Sequence, residues 1–126
     1  MPTQTVLIVE DGDNVAPLEV ALASLDNINV LILANGRDAI NVLHRGSVEI
    51  AAVITDLHLP HVDGYELIAA IRGHKRYSHL PIVVVSGDSH PELAERLRLL
   101  GADAFFPKPY SPAEIRHTLK GLLHVS

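Results

Sequence analysis

Five side chains suited to phosphoryl chemistry follow the short apolar runs of this sequence. Glu10 and Asp11 follow the first run, Asp56 the third, Ser86 the fourth and Lys108 the fifth. Carboxylates held within several ångströms of one another repel, and a bound hard cation or a nearby ammonium group relieves the repulsion. A carboxylate can also act as a nucleophile, while lysine, a hydroxyl and a divalent cation suit a phosphoryl group. The pattern predicts a Mg²⁺-type site at which a carboxylate can form an aspartyl phosphate.

Each of these residues also has an ordinary structural interpretation. An acidic residue after a strand is most often a helix cap or a turn residue, and we interpret Asp13 as such a cap. Ser86 alone could be a buried hydroxyl bonded to backbone, and Lys108 alone a solvated charge. The joint pattern favours function, because so many such residues would rarely meet at one sheet edge by chance.

The apolar runs themselves predict buried parallel strands. They are nearly unbroken, as expected for strands that helices cover on both faces, and segments with helical spacing separate them. This pattern predicts an α/β fold with a doubly wound, five-stranded parallel sheet, whose ligands bind beyond the carboxyl ends of the strands. The runs are Val6 to Val9, Ile28 to Leu33, Ala51 to Ile54, Ile82 to Val85 and Ala104 to Phe106.

Glycines and polar segments predict where the helices end. Gly46 and Gly101 are placed to end the second and fourth helices in the left-handed conformation. The third helix should end near Arg72. The polar, mixed-charge segment from Gly73 to Leu80 should then be a surface loop.

Two Ser-x-x-Glu spacings predict where the last two helices begin. Ser89 with Glu92 precedes the fourth helix, and Ser111 with Glu114 precedes the fifth. Pro112 suits the first helical position, where a missing N–H costs nothing. Both helices should therefore carry capping boxes.

Composition limits the class of protein. The 126 residues, 48% of them apolar, suit one domain, and the absence of cysteine excludes thiol catalysis, thiolate metal sites and disulfides. No signal peptide is visible, and no apolar run approaches the roughly 18 residues of a membrane helix. A net charge of −5 with ten scattered Lys and Arg offers no basic stripe for nucleic acid. We expect one soluble, cytoplasmic domain over residues 1–126 that binds neither nucleic acid nor membrane.

Four motifs resemble the landmarks of the receiver domains of bacterial two-component response regulators. Residues 6–11, VLIVED, resemble the opening strand and acidic pair of that family, and residues 56–64, DLHLPHVDG, its phosphoacceptor loop. Ser86-Gly87 and Lys108-Pro109 match the other two landmarks, the latter with a peptide bond that is usually cis in the family. The resemblance spans essentially the whole chain. It implies a flavodoxin-like (βα)5 fold with strand order two-one-three-four-five, helices on both faces, and no output domain in this chain.

The resemblance also implies a role for each residue of the site. Asp56 would accept a phosphoryl group from a sensor histidine kinase or phosphotransfer protein, so that the domain catalyses only its own phosphorylation and dephosphorylation. Mg²⁺ or Mn²⁺ would be held by Glu10, Asp11, Asp56 and the backbone carbonyl of His58. Lys108 would pair with the acyl phosphate.

A conformational switch is the further implication of the resemblance. Ser86 would bond a phosphoryl oxygen and Phe105 would turn inward behind it, altering the face of helix four, strand five and helix five. That face would form a homodimer or dock to a downstream output protein or fused domain. His58 and Asp88 would tune the lifetime of the phosphoryl group. Charged and aromatic residues assigned to the docking face, or else simply solvated, are Arg96, Arg98, Tyr110, Arg116 and Lys120.

Three rival functions are disfavoured by particular residues. A phosphatase of the haloacid dehalogenase type needs a second aspartate where His58 stands. A flavin carrier needs a hydroxyl and glycine loop after the first strand, whereas Glu10 to Asp13 would repel its phosphate. A pseudo-receiver, which would use the fold only for binding, is opposed by the intact acidic set and Lys108.

The histidines suggest no metal site by their spacing. His58 and His61 flank the phosphoacceptor loop and could bind a transition metal adventitiously. The others that we expect to be mostly solvated are His44, His74, His79, His117 and His124. Phe105 has an alternative too, since it could be a plain core aromatic.

Overall fold

A computed structural model describes residues 3–12 and 15–123 of the chain. Within these residues the strands form one parallel sheet in the order β2-β1-β3-β4-β5, which confirms the predicted fold. A short 3₁₀ helix, Lys75–Tyr77, lies between α3 and β4. The elements are β1 (Gln4–Val9), α1 (Ala16–Ala23), β2 (Ile28–Leu33), α2 (Gly36–Arg45), β3 (Ile50–Asp56), α3 (Gly64–Gly73), β4 (Ile82–Ser86), α4 (Leu93–Leu100), β5 (Ala104–Pro107) and α5 (Pro112–Leu123).

The core has two halves, one on each face of the sheet. Successive side chains of a strand point to opposite faces, so Leu7 packs with α2, α3 and α4 while its neighbour Ile8 packs with α1 and α5. Val53 and Ile54 divide in the same way. The central strands are therefore buried on both faces, which is why their sequences are unbroken apolar runs. Among the described residues, no helix is both long and apolar enough to span a membrane.

Most of the predicted helix ends are confirmed. Gly46 and Gly101 end α2 and α4 with φ of 64° and 113°, in the left-handed region that glycine tolerates. Pro112 is the first residue of α5, and the Ser111 hydroxyl accepts a hydrogen bond from the backbone N–H of Glu114 at 3.2 Å. The cap predicted for Asp13 falls outside the described residues.

The capping box predicted at Ser89 is wrong. Helix α4 begins at Leu93 after Glu92, and in this described segment no side chain caps its amino end. The reason is Pro91, because a residue that precedes proline is disfavoured in the helical conformation. His90 therefore cannot easily serve as the first helical residue after a Ser89 cap.

The surface loop predicted from Gly73 to Leu80 is also wrong in part. Tyr77 in the 3₁₀ helix is only 3% exposed and packs in the core, and its hydroxyl donates to the carbonyl oxygen of Leu43 at 2.8 Å. Leu80 is buried as well. The segment is an anchored connection that fills the space between α2 and α3.

Strand β5 lies at the edge of the sheet, as its proline requires. Pro107 pairs with Ser86 of β4 at the carboxyl end of the strand, where an edge position tolerates a missing donor. The next backbone N–H, that of Lys108, donates to the Ser86 carbonyl at 2.8 Å. The hydrogen bonding between β4 and β5 thereby continues up to Lys108.

Candidate functional site

Three of the predicted site residues meet at the carboxyl edge of the sheet. The Lys108 ammonium lies 2.5 Å from Oδ2 of Asp56 and 3.1 Å from Oε2 of Glu10. Glu10 follows β1, Asp56 ends β3 and Lys108 follows β5, so the parallel topology brings together residues 98 positions apart in sequence. The peptide bond between Lys108 and Pro109 is cis.

The two oxygens of Asp56 have different partners. Oδ1 accepts hydrogen bonds from the backbone N–H groups of Leu57 at 2.6 Å and His58 at 3.2 Å, whereas Oδ2 faces Lys108. The residue is 6% exposed. One oxygen is thus anchored by the backbone, and the other is presented beside a cation, an arrangement suited to an oriented nucleophile.

The start of α3 packs directly against the backbone of Asp56 and Leu57. A side chain on Gly64 would collide with the carbonyl oxygen of Asp56, and the Gly64 N–H donates to the Leu57 carbonyl at 2.8 Å. Asp63 caps the helix by accepting from the N–H of Glu66 at 2.9 Å. The sequence places Asp63 and Gly64 in the motif that resembles a phosphoacceptor loop but did not identify them as the start of a helix, although an Asp-Gly pair before an apolar helical segment signals such a start.

Burial and mutual charge control protonation in the cluster. Burial, reinforced by the charge of Asp56, raises the pKa of Glu10 even though Lys108 opposes the shift. Burial lowers the pKa of Lys108, but its hydrogen bonds to Asp56 and Glu10 outweigh that effect and the pKa is raised. Burial, together with the charge of Glu10, also raises the pKa of Tyr110. Lys108 therefore stays cationic at neutral pH.

Ser86 has the structural role that its alternative interpretation described. The side chain is fully buried at the end of β4, and its hydroxyl oxygen accepts from the backbone N–H of Asp88 at 3.1 Å. This hydrogen bond shapes the loop that follows β4. The hydroxyl nevertheless stands at the same sheet edge as Asp56, whose strand pairs with β4.

The side chains of His58 and Asp88 form a hydrogen bond that the sequence did not reveal. The Nε2 atom of His58 lies 2.9 Å from both carboxylate oxygens of Asp88, linking the loops after β3 and β4. The hydrogen bond and charge of Asp88 raise the pKa of His58. The only sequence signal was positional, since each residue stands two places beyond a strand end.

The acidic residues suit a hard cation only in part. In residues 3–12 and 15–123, no set of three or more acidic or histidine side chains is arranged to hold a metal ion. Asp11 is exposed, whereas Glu10 and Asp56 converge. Two carboxylates with a backbone carbonyl such as that of His58 are nevertheless the oxygen donors that Mg²⁺ or Mn²⁺ prefers, since Mg²⁺ keeps several waters. The donor set therefore fits such an ion.

Phe105 occupies an intermediate position between core and surface. Its ring packs against the buried cluster beneath α4 and is partly exposed. With Ala94 and Leu97 it lines a groove of about 230 Å³ between α4 and β5.

The residues assigned to the docking face have separate surroundings. Arg96 lies 5.5 Å over the ring of Tyr65 on α3, and Arg98 pairs with Glu95 on its own helix. Arg116 donates to the Ser24 hydroxyl at 2.7 Å and so lies against the end of α1. Arg116 is thus engaged with α1, whereas Arg96 and Arg98 remain exposed on α4.

Two of the histidines come closer together than their spacing indicated. The rings of His44 and His74 are 5.5 Å apart, and His74 also lies 4.9 Å from the ring of Tyr77. His79 and His117 are exposed, as expected. His124 falls outside the described residues.

Comparison with known proteins gives one consistent family. The family model described as "Response regulator receiver domain" matches residues 6–120. The transcriptional regulatory protein GltR of Pseudomonas aeruginosa is 31% identical over 95% of this chain, which spans 49% of GltR. The chemotaxis protein CheV2 of Helicobacter pylori is 32% identical over 94% of this chain, which spans 38% of CheV2. The chain therefore spans half or less of these relatives.

A solved structure agrees with these sequence matches. The receiver domain of the sensor histidine kinase PA1611 of Pseudomonas aeruginosa is 27% identical, with a TM-score of 0.82 over 97% of this chain and 98% of that one. That crystal structure has a magnesium ion coordinated in its active site cleft. Fold and site define a two-component signalling module. The chain belongs to the response regulator receiver domain family.

Proposed function

We propose that Asp56 accepts a phosphoryl group from the phosphohistidine of a sensor histidine kinase or of a phosphotransfer protein. The observation that carries this proposal is the asymmetric setting of the carboxylate. The backbone anchors Oδ1, while Oδ2 faces the ammonium group of Lys108. No other acidic side chain among the described residues has this combination of burial, backbone anchoring and a cationic neighbour.

The transfer follows from these contacts. Oδ2 of Asp56 attacks the phosphorus atom, an O–P bond forms, and the P–N bond to the donor imidazole breaks with its electron pair returning to nitrogen. The donor imidazole then takes up a proton. Lys108 moves from the carboxylate oxygen to an oxygen of the transferred group and offsets its negative charge. Hydrolysis of the acyl phosphate by water would regenerate the carboxylate, so that the domain acts only on itself.

The reaction as proposed requires Mg²⁺ or Mn²⁺. The ion would be held by Glu10, Asp56 and the backbone carbonyl of His58, with Asp11 turned toward it from its exposed position. When bound, it supplies charge neutralisation to the phosphoryl oxygens. The magnesium ion described for the receiver domain of PA1611 supports this requirement.

A cavity beside the site supports the approach of a donor protein. It measures about 540 Å³ and opens between the end of β1 and the start of α5. Helix α1, which contributes Pro17 to the cavity, also carries Val20, which is 71% exposed. An apolar helix face beside a reactive carboxylate suits a protein donor that presents its own side chain. The cavity is lined by Glu10, Gly12, Pro17, Lys108, Pro109, Tyr110 and Pro112.

The output is proposed to be a shift of the face formed by α4, β5 and α5. Ser86 would turn its hydroxyl to a phosphoryl oxygen, and Phe105 would move from its partly exposed position into the space behind it. The amino end of α4 has no side-chain cap, and its first N–H, that of Leu93, is held only by the His90 carbonyl at 3.2 Å, which supports such a movement. The altered face would form a homodimer or dock to an output protein or a fused domain.

Two further parts of the proposal concern lifetime and domain organisation. The His58–Asp88 pair links the loops after β3 and β4 and would limit the access of water to the acyl phosphate, so both residues would set its lifetime. Residues 1–126 would act as a single receiver domain. Its cytoplasmic location would follow from the location of its kinase.

Intact mass spectrometry after incubation with acetyl phosphate and Mg²⁺ tests the acceptor. Wild type should gain one phosphoryl group, about 80 Da, and Asp56→Asn or removal of Mg²⁺ should abolish the gain. Asp26→Asn, an exposed aspartate before β2, is the control and should behave as wild type. No adduct on wild type, together with no binding of beryllofluoride, would favour a pseudo-receiver.

A further inference from the structure

A fully buried hydroxyl stands directly before the proposed phosphoacceptor. Thr55 in β3 is 0% exposed, and Val53 on the same strand face and Leu57 directly after the strand are equally buried. A buried hydroxyl costs about 1–3 kcal/mol unless it is hydrogen-bonded, and valine has nearly the same shape. Packing alone would therefore favour valine at this position.

The hydroxyl is bonded to the peptide group that holds the carboxylate. Thr55 Oγ1 donates to the carbonyl oxygen of Asp56 at 2.8 Å. The N–H of that same peptide, contributed by Leu57, donates to Oδ1 of Asp56 at 2.6 Å. Because a peptide group is planar, a hydrogen bond to its oxygen also fixes the direction of its N–H.

From this chain of contacts we infer that Thr55 is a positioning residue that orients the nucleophile. Its hydroxyl holds the Asp56–Leu57 peptide in the plane that keeps Oδ1 anchored and leaves Oδ2 facing Lys108. The inference rests on the proposed role of Asp56 and adds a residue that acts through it. Thr55 itself does not touch the reacting atoms.

Two features of the surroundings strengthen the effect. A donor at the carbonyl oxygen polarises the peptide, which makes its N–H a better donor to the carboxylate. On another side of the same carbonyl oxygen, Gly64 packs so closely that a side chain there would collide. The peptide is thus held between the Thr55 hydroxyl and the first turn of α3.

The test compares two substitutions at this position. Thr55→Val removes the hydroxyl and keeps the volume, and Thr55→Ser keeps the hydroxyl. The maximal rate of phosphorylation by acetyl phosphate should fall about tenfold in Thr55→Val. The acetyl phosphate concentration that gives half the maximal rate should change little. Thr55→Ser should have close to the wild-type maximal rate. Thr5→Val is the matched control and should keep the wild-type rate. Thr5 is 8% exposed and lies near the amino end of β1, whereas the site lies at the carboxyl edge of the sheet.

A second measurement does not depend on phosphorylation. The Leu57 amide proton, bonded to a carboxylate at short distance, should resonate downfield in the NMR spectrum and move upfield in Thr55→Val and in Asp56→Asn. A Thr55→Val protein with the wild-type rate and amide shift would overturn the inference, and so would equal slowing by valine and serine. If wild type takes up no phosphoryl group and binds no beryllofluoride, the proposed function fails and the catalytic part of the inference fails with it. The amide shifts would then show whether the threonine orients the carboxylate at all.

Discussion

Replacing Lys108 with methionine should destabilise the protein, and more so at high pH. The side chain keeps its approximate length and loses its charge, which leaves the carboxylates of Asp56 and Glu10 without their cation. These side chains are 8% and 10% exposed, and that of Lys108 is 33% exposed. Removing one partner of a fully buried pair costs about 3–5 kcal/mol. The partial exposure of the ammonium reduces this to about 2–3 kcal/mol.

The dependence on pH follows from the raised pKa of Glu10. Burial and the charge of Asp56 raise it, and Lys108 opposes the rise, so the variant should have a still higher pKa at Glu10. A group whose pKa is raised by folding favours the folded state when protonated. That contribution is present below the unfolded pKa of about 4.5 and is lost as pH rises through the folded pKa. The destabilisation of the variant should therefore be small near pH 4.5 and grow as the pH rises through the raised folded pKa of Glu10.

Urea unfolding followed by circular dichroism, in the presence of EDTA, measures the effect. For a chain of 126 residues, 2–3 kcal/mol corresponds to a fall of roughly 10 °C in melting temperature. Lys75→Met, at an exposed position, is the control and should change stability by less than about 0.5 kcal/mol. Added Mg²⁺ should restore more stability to the Lys108 variant than to wild type. Equal destabilisation near pH 5 and near pH 8 would refute the explanation by carboxylate repulsion.

Three further substitutions test other contacts. Tyr77→Phe should lower the free energy of unfolding by about 1–2 kcal/mol in chemical denaturation, because the Leu43 carbonyl loses a buried donor; an unchanged midpoint would contradict this. His61→Gly should raise the free energy of unfolding by about 0.5–1 kcal/mol, because His61 has a φ of 70°, a left-handed conformation that glycine adopts without strain. A destabilised variant would show that the contacts of the His61 side chain outweigh this backbone strain. Asp88→Asn should lower the pKa of His58 in an NMR titration, and an unaltered titration curve would show that the pair does not form in solution.

The fold was predictable because its signals are local. Buried parallel strands need apolar side chains on both faces, so runs such as Val6 to Val9 identify them directly. Gly46 and Gly101 end helices for a reason contained in one residue, the tolerance of glycine for positive φ. These features required no knowledge of distant contacts.

The errors arose where a neighbour or a distant contact overrode a local signal. Ser89 and Glu92 have the spacing of a capping box, but Pro91 between them prevents the helix from starting there. Tyr77 is a single aromatic residue within a polar segment, without the periodicity that would mark it as core. Its burial depends on the gap between α2 and α3, which a linear pattern does not show.

The sequence by itself determined which side chains reach the site. Parallel strands end at a common edge, so Glu10, Asp56, Ser86 and Lys108 had to meet there once the strands were recognised. Only the tertiary structure decided how they meet. The hydrogen bonds that anchor one oxygen of Asp56, the ammonium beside the other, and the pairing of residues on separate loops depend on angles and distances within one ångström. Residue order along the chain does not specify such distances, because they are set by the packing of every element around the site.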